Sequence, residues 1–479
     1  MATQQYDFGM VGLGTMGRNL VYNMCDHGFT VAGFDKDAKQ VSLFNKEAED
    51  RKVFGTSELN DFVGALKSPR VILLLVPAGA IVDAVINELK PVLSKYDLIL
   101  DCGNSHFTDT DRRLASLAKE NIHFMGVGIS GGEEGARYGP SIMPGGTKEI
   151  YSRVSTVLEA ISAKVNGEPC VTYLGPGSAG HYVKMVHNGI EYGLMQLIAE
   201  SYHLLKEAGG LTNDELHTLY TKWNEGRLQS FLIEITSTIF ARKDDLTDNW
   251  LVDMISDTAH QKGTGKWASQ SALDLQAPIP LIDTAVAARE ISAFKDERKI
   301  AQKKLKGPAQ SSKTNRDELI ANLEQALYFS IITAYAQGMV LMQYASKELK
   351  YELKLADIAS IWRGGCIIRA GMLDKIREAY TKQAELPNLL LDDFFANELI
   401  ETQTGIRKII QAGVQTGIPL PAMMSSLGYY DSYRRDWLPT NLVQAQRDYF
   451  GAHTYERIDR EGIFHTQWSQ KQVQNGARK

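Results

Sequence analysis

The spacing of apolar positions changes character part-way along the chain. Before Tyr173, short apolar runs alternate with amphipathic stretches: Tyr6–Gly12, Phe29–Phe34, Val71–Val76, Leu98–Asp101 and His123–Val127 read as strands, while Met16–His27 and Ala80–Leu93 have helical spacing. Strand and helix alternating in this way predict a doubly wound, mostly parallel sheet. Beyond Gly180 the pattern is helical almost throughout, with helices expected over Ala179–Ala208, Thr212–Ala241, Asp283–Gln302, Asp317–Ser346, Lys354–Arg377 and Leu391–Gln415. Leu219, Trp223 and Gly226 are echoed by Ile358, Trp362 and Gly365, each set following a long helix, so an internal duplication of a helical unit is expected. The basic, Gly- and Ser-containing stretch Lys303–Arg316 reads as a solvated joint between the copies.

The first turn carries a motif. GLGTMG, Gly12 to Gly17, follows the first strand and opens a helix, and Asp35 stands at the end of the second strand. Gly12 allows the tight turn, Gly14 lets backbone approach a pyrophosphate, and Gly17 lets helix and strand pack closely. In that context the glycines predict a Rossmann-type dinucleotide site formed by Gly12, Leu13, Gly14, Thr15, Met16 and Gly17. The other loops at the carboxyl ends of the strands, Val76–Gly79, Asp101–Ser105 and Gly128–Gly146, complete the expected ligand face. Asn104 and the Ser130-Gly131-Gly132 turn offer an amide, a hydroxyl and free N–H groups to a substrate carboxylate. Glu133, Glu134 and Arg137 read as loop charges.

The expected fold is therefore an α/β N-terminal Rossmann-type domain (1–178), a large all-α domain (179–435) and an extended C-terminal tail (436–479). At 479 residues the chain exceeds what one core organises. A formal charge of -5 gives no basic face for nucleic acid and no polybasic membrane patch. No apolar run approaches the roughly 20 residues a bilayer needs, and the start of the chain enters a strand directly, so a soluble, cytoplasmic protein is expected. Cys25, Cys102, Cys170 and Cys366 are scattered without metal-ligand or CxxC spacing, so neither a disulfide framework nor a metal site is expected.

The strongest chemical signal lies at the start of the helical half. At about 100° per residue, Asn188 falls about 40° from Lys184 and Glu191 about 20° from it on the other side, so the three share one stripe, bordered by His187. Their neighbours Val183, Met185, Val186, Ile190, Tyr192, Leu194 and Met195 are apolar nearly all round, which marks a buried helix rather than a surface ion-pair face. A lysine, an amide and a carboxylate so placed can exchange protons with a bound substrate. His260–Trp267 combines lysines, a threonine and glycines able to wrap an anion, and Arg289 sits in an apolar-flanked helix where it needs an anionic partner. The aromatic and charged end, Asp436–Gly462, is too short to fold alone and is expected to lie on a second subunit.

Taken together, GLGTMGRNL, SGGEEGARYGPS, KMVHNGIEYG, KGTGKW, AREISAFKDER, RGGCIIR and QRDYFGAHTYERID resemble the decarboxylating 6-phosphogluconate dehydrogenases, in that family's order and over nearly the whole chain. The resemblance implies a 6-phosphogluconate substrate, ribulose 5-phosphate and carbon dioxide as products, NADP as hydride acceptor, and a homodimer exchanging C-terminal tails. It implies that Lys184 is the general base and later acid, and that Glu191 protonates C1. Asn104, Ser130, Gly131, Gly132, His187 and Asn188 would hold the sugar acid. Tyr192, Lys262, Thr264 and Arg289 would hold the phosphate, with Arg447 and His453 supplied by the partner. The family's cofactor-binding pattern after the second strand is Asn-Arg-Thr, and here Asp35, Lys36 and Asp37 replace it, with Pro77 after Val76 where the family has lysine. A carboxylate at Asp35 suits the ribose hydroxyl of NAD, so NAD use is expected beside NADP. Another β-hydroxyacid dehydrogenase of the same superfamily, and a non-catalytic NAD(P)-binding protein, are the alternatives; KGTGKW and the tail argue against the first, and the Lys184–Glu191 stripe against the second.

Overall fold

The computed structural model describes residues 5–261, 263–308 and 315–468. Lys262, residues 309–314 of the expected joint at Lys303–Arg316, and residues 469–479 lie outside them.

Seven strands form one sheet: β1 (Phe8–Val11), β2 (Val31–Phe34), β3 (Val53–Thr56), β4 (Val71–Leu74), β5 (Leu98–Asp101), β6 (His123–Ser130) and β7 (Ser141–Pro144), in the order β3-β2-β1-β4-β5-β6-β7. All neighbours pair in parallel except β6 and β7. Alternate residues face opposite layers: Leu73, Leu98 and Leu100 join one apolar cluster, Ile72, Leu74 and Ile99 the other. Helices cover both faces: α1 (Thr15–Asp26), α2 (Ala38–Glu47), α3 (Leu59–Gly64), α4 (Ala80–Leu89), α5 (Phe107–Ala118), α6 (Gly132–Tyr138), α7 (Lys148–Ser152) and α8 (Ser155–Ile161). With both faces buried, the central strands are continuous apolar runs, which is why they are legible in sequence.

The sheet departs from the expected pattern in two places. The edge strand β3 was not expected, because its four residues are only half-buried and carry no apolar run. Gly128–Gly146 is no loop. β6 continues to Ser130, α6 follows, and β7 returns antiparallel with Val127 opposite Pro144 and Ser130 opposite Ser141. The glycines that make this stretch look like a loop make room for a helix instead. A Cβ on Gly126 would lie 2.7 Å from His181 Nδ1, and one on Gly128 would lie 2.5 Å from Lys184 Cβ.

That helix is α9 (Ala179–Glu207), buried on nearly every side over its first half. It leads to α10 (Asn213–Asn224), α11 (Phe231–Ala241), α12 (Leu251–Met254), α13 (Thr264–Asp274), α14 (Pro280–Ser292) and α15 (Lys295–Lys304), then α16 (Arg316–Glu348), α17 (Leu355–Ile361), α18 (Met372–Lys382), α19 (Asp393–Thr416) and α20 (Pro421–Tyr433). The expected Thr212–Ala241 and Lys354–Arg377 helices are each broken in two. Ser230 caps α11 by accepting from Ile233 N–H, and the glycines after each Trp interrupt the helical path. The echoed segments meet: Ser230 bridges Ala370 antiparallel, Phe231 N–H donates to Arg369 O at 3.0 Å, and Gly371 N–H donates to Gln229 O at 3.1 Å.

The chain divides into two compact units, Met1–Leu427 and Gly428–Lys479. The division falls inside α20, whereas the sequence reading places it at 436. The second unit contains α21 (Thr440–Gly451) and a hairpin of Tyr455–Glu456 with Ile463–Phe464. It has its own polar centre: the Asp448 carboxylate accepts from Thr454 N–H, His465 Nδ1, Thr466 N–H and Trp468 Nε1 at 2.8–3.0 Å.

Candidate active site

A cavity of about 750 Å³ opens at the carboxyl ends of β1, β4 and β5. Its wall is built from Gly14–Gly17, Leu75–Gly79, Cys102–Asn104, His106, Asp109, Ile129, Thr264 and Trp267. Gly14 is the N-cap of α1 and offers no side-chain acceptor to the first turn, whose unclaimed N–H groups face an anion's position. Space at Gly14 is open, while a Cβ on Gly17 would strike Gly12 O at 1.9 Å, so strand and helix are as close as a pyrophosphate turn requires. The residues present fit a nicotinamide dinucleotide. Val76 and Asn104 belong to the wall; Gly12, Leu13, Asp35, Lys36 and Asp37 do not.

Asp35 is nonetheless fixed beside the motif. Its Oδ2 accepts from Leu13 N–H at 2.8 Å and its Oδ1 from Asp37 N–H at 2.9 Å. Lys36 pairs with Glu88 at 2.6 Å, and Asp37 caps α2 by accepting from Lys39 N–H.

The polar stripe of α9 is buried as its apolar flanks predict. Lys184 is 7% exposed and His187 fully buried, with Asn188 beside them. Burial lowers the pKa of Lys184, and the Glu191 and Cys366 side chains pull it part of the way back. Burial raises the pKa of Glu191 against the nearby charges of Lys184 and Arg289. Burial thus shifts both side chains toward their neutral forms, the direction a base that accepts and an acid that donates require. His187 is held neutral, well below its ordinary range, by burial and then by Lys184. Its Nδ1 faces Asn188 Oδ1 at 3.1 Å, an acceptor, so the proton sits there and Nε2 accepts from Ser130 Oγ at 3.3 Å. That link brings β6 and α9 together at one point.

Gly131 and Gly132, with φ of +118° and +62°, turn Ser130 into the N-terminus of α6. This turn leans on the segment that follows Trp362, expected from sequence as half of a repeat and as one of the motifs carrying the resemblance. A Cβ on Gly131 would meet Gly365 O at 2.6 Å, Ser141 N–H donates to Gly365 O at 2.7 Å, and the Trp362 ring lies edge-on to His187 at 5.6 Å. The RGG of Arg363–Gly365 carries that signal. Glu133, Glu134 and Arg137, expected as loop charges, lie on α6, and Arg137 pairs with Asp26 at 2.7 Å.

Tyr192 lies two turns beyond Lys184 with the Arg289 guanidinium over its ring at 3.4 Å, and the Arg289 charge acts on Glu191 as well. Thr264 opens α13 and is buried, with Trp267 one turn on and edge-on to His106 at 5.0 Å. Trp267 and His106 are wall residues that the sequence reading missed; KGTGKW contained the first. Lys262 is outside the described residues. Arg447 and His453 belong to the second compact unit, where both are exposed; Arg447 Nη1 donates to Gln444 Oε1 at 3.0 Å.

Residues 7–175 match the family model described as the NAD binding domain of 6-phosphogluconate dehydrogenase, and residues 180–468 match its C-terminal domain. The chain is 54% identical over 469 residues to the NADP(+)-dependent, decarboxylating 6-phosphogluconate dehydrogenase of Bacillus subtilis, covering 98% of this chain and 100% of that one. It is 52% identical to the decarboxylating enzyme of Lactococcus lactis subsp. lactis, over 97% of this chain and 99% of that one. Among solved structures, Plasmodium falciparum 6-phosphogluconate dehydrogenase superposes with a TM-score of 0.93 at 44% identity, covering 96% of this chain and 100% of that one; it was solved apo, with NADP+ and with 6-phosphogluconate.

Proposed function

Since the chain belongs to the 6-phosphogluconate dehydrogenase family, we propose that it converts 6-phospho-D-gluconate to D-ribulose 5-phosphate and carbon dioxide with reduction of NADP or NAD, in the pentose phosphate pathway. The observation that carries this reading is the pair of buried, oppositely shifted groups Lys184 and Glu191 on one stripe of α9, beside a dinucleotide cavity.

The bound nicotinamide cofactor supplies the hydride acceptor. Lys184, neutral in its buried setting, takes the proton of the C3 hydroxyl as the C3 hydride leaves. The ammonium so formed donates to the C3 carbonyl oxygen, where negative charge develops as carbon dioxide departs, and its low-dielectric surroundings strengthen that interaction. Glu191, whose pKa burial raises, delivers a proton to C1 of the resulting enediol, and Lys184 takes back the hydroxyl proton as the ketone forms. Ser130, Gly131, Gly132, His187, Asn188 and Asn104 orient the sugar acid, Ser130 being held by the neutral His187. Tyr192, Lys262, Thr264 and Arg289 hold the phosphate at the start of α13, an anion-favouring position. Arg447 and His453 reach that phosphate from the tail of a second copy in a homodimer. Among the described residues no helix is long and apolar enough to cross a membrane, in keeping with a cytoplasmic enzyme, and no group of side chains there is set to hold a metal.

The test is turnover. The chain reduces NADP or NAD with 6-phosphogluconate and releases carbon dioxide in equal amount. Lys184→Met still binds reduced cofactor but loses about two to four orders of magnitude in kcat. Activity within tenfold of the parent would sink the assignment of the base.

A further inference from the structure

Two loops wall the cofactor cavity, Leu75–Gly79 after β4 and Cys102–His106 after β5, and one buried side chain joins them. Arg113, on α5, is 2% exposed. Its Nε donates to Asp83 Oδ1 at 2.9 Å, and its Nη2 to Asp83 Oδ2 at 3.2 Å and to Gly79 O at 2.9 Å. Its Nη1 donates to Ser105 Oγ at 3.1 Å and to Asp101 Oδ2 at 3.3 Å. A guanidinium has five N–H groups, and every one is engaged, three of them on the first loop and its helix and two on the second. Asp101 relays the connection onward: its Oδ2 accepts from Ser105 Oγ at 2.6 Å, its Oδ1 from Gly103 N–H at 3.2 Å, and its backbone oxygen from His181 Nε2 at 3.0 Å. His181 lies one turn before Lys184 on α9, with its Nδ1 2.6 Å from Thr110 Oγ1 of α5.

We propose that Arg113 is a positioning residue for the cofactor, holding the β4–α4 and β5–α5 loops in register with each other and, through Asp101 and His181, with the helix that carries Lys184. The acceptors argue for this rather than for simple reinforcement of the fold. Gly79 is itself a wall residue, Asp101 is the last residue of β5, and Ser105 stands between the wall residues Asn104 and His106, so all three lie at the cavity end of the sheet. A buried ion pair adds little net stability compared with apolar packing, so a fully engaged guanidinium at this place is better explained by the geometry it sets. The proposal rests on reading the cavity as the dinucleotide site.

Arg113→Lys keeps the charge but presents three donors from a single point, which cannot span both loops. Titration of NADPH and NADH fluorescence measures binding without turnover, and the variant weakens the dissociation constant of the better cofactor at least about tenfold. Binding of 6-phosphogluconate without cofactor, which draws only Asn104 of its residues from these loops, stays within about threefold of the parent. Cofactor binding within about threefold of the parent overturns the proposal, and so does an equal loss for both ligands. If Arg113→Lys does not fold, Asp83→Asn decides, because it removes the charged acceptor of the first loop from a partly exposed position: weaker cofactor binding alone supports the proposal, and unchanged binding overturns it. Failure of the parent chain to bind either reduced cofactor would instead overturn the reading of the cavity.

Discussion

Lys184 and Glu191 influence each other in opposite directions, and the pH profile exposes this. Glu191 raises the pKa of Lys184, against the larger lowering by burial. The base works only when neutral, so kcat/KM falls as pH drops through the Lys184 pKa. Glu191→Gln removes the raising influence, and the acidic limb of kcat/KM then moves to lower pH even as kcat declines; a limb that stays or moves upward would show that another group sets it. The stripe itself was legible, because residues 184, 188 and 191 share a face by helix period alone. The Ser130–His187 link was not, since it depends on how β6 meets α9. Asp35 gives the second residue-scale prediction. Its carboxylate is fixed against Leu13 and Asp37 N–H groups, and Lys36, which would offset it, pairs with Glu88. A 2′-phosphate near Asp35 meets repulsion of about 4 kcal/mol per charge pair at 4 Å with an effective dielectric near 20. We expect kcat/KM with NAD to equal or exceed that with NADP, although the Bacillus subtilis relative is named for NADP. An NADP preference above about a hundredfold would show that Asp35 does not face the ribose.

Elements were legible where burial is uniform and illegible where glycine has a packing role. Strands β1, β2, β4 and β5 were placed because both their faces are apolar. The end of β6 was lost because Gly128, which leaves space for Lys184, reads in sequence as a turn residue. The breaks after Trp223 and Trp362 were missed for a related reason, as caps outweigh periodicity over a few residues. At the far end of α9, Glu200 shows how a helix start is secured across the fold. Its carboxylate accepts from Ala422 N–H at 2.7 Å and Met423 N–H at 3.0 Å at the start of α20, and from Gln196 Nε2 at 3.0 Å. Burial pushes its pKa up to about 7, though these donors pull the other way. In the unfolded chain a glutamate titrates near about 4.3, so between there and pH 7 the native state keeps a proton that the unfolded state has lost. The contribution of this proton is complete below that window and fades as pH rises through 7. Glu200→Gln leaves one backbone N–H without an acceptor, at a cost of about 1–3 kcal/mol. Its melting temperature should fall below the parent's, and the gap should narrow as pH rises from 5 to 8, because only the parent loses the protonated state. A gap independent of pH would place the Glu200 pKa outside that range.

At the scale of the whole molecule, the sequence reading took the end of the chain as a segment unable to fold alone, yet Asp448 gives residues after Gly428 an internal framework of four donors. That framework sets a turn with Ala452 and Thr454 at φ of 50° and 61°, on either side of His453 and one helical turn from Arg447. Non-glycine residues held in this conformation cost energy, and such outliers cluster where a side chain must be aimed. Arg447 and His453 are exposed beside this turn, and Leu442, Val443, Tyr449 and Phe450 stay exposed on the same helix. If these two residues complete the phosphate site of a second copy, each site takes Lys184 from one subunit and Arg447 from the other. Lys184→Met and Arg447→Ala homodimers would both be inactive. After subunit exchange, a mixed dimer holds one doubly defective site and one intact site. Half of the dimers are mixed at equal concentrations, so activity returns to about a quarter of the parent value in a symmetric two-site assembly. A tail that serves its own subunit gives a different result, because every site then carries one of the two defects and mixing restores nothing. The comparison requires proof that subunits exchanged, by mass or by a tag on one variant. With exchange shown, absence of recovered activity would place Arg447 in the site of its own chain or outside the site altogether.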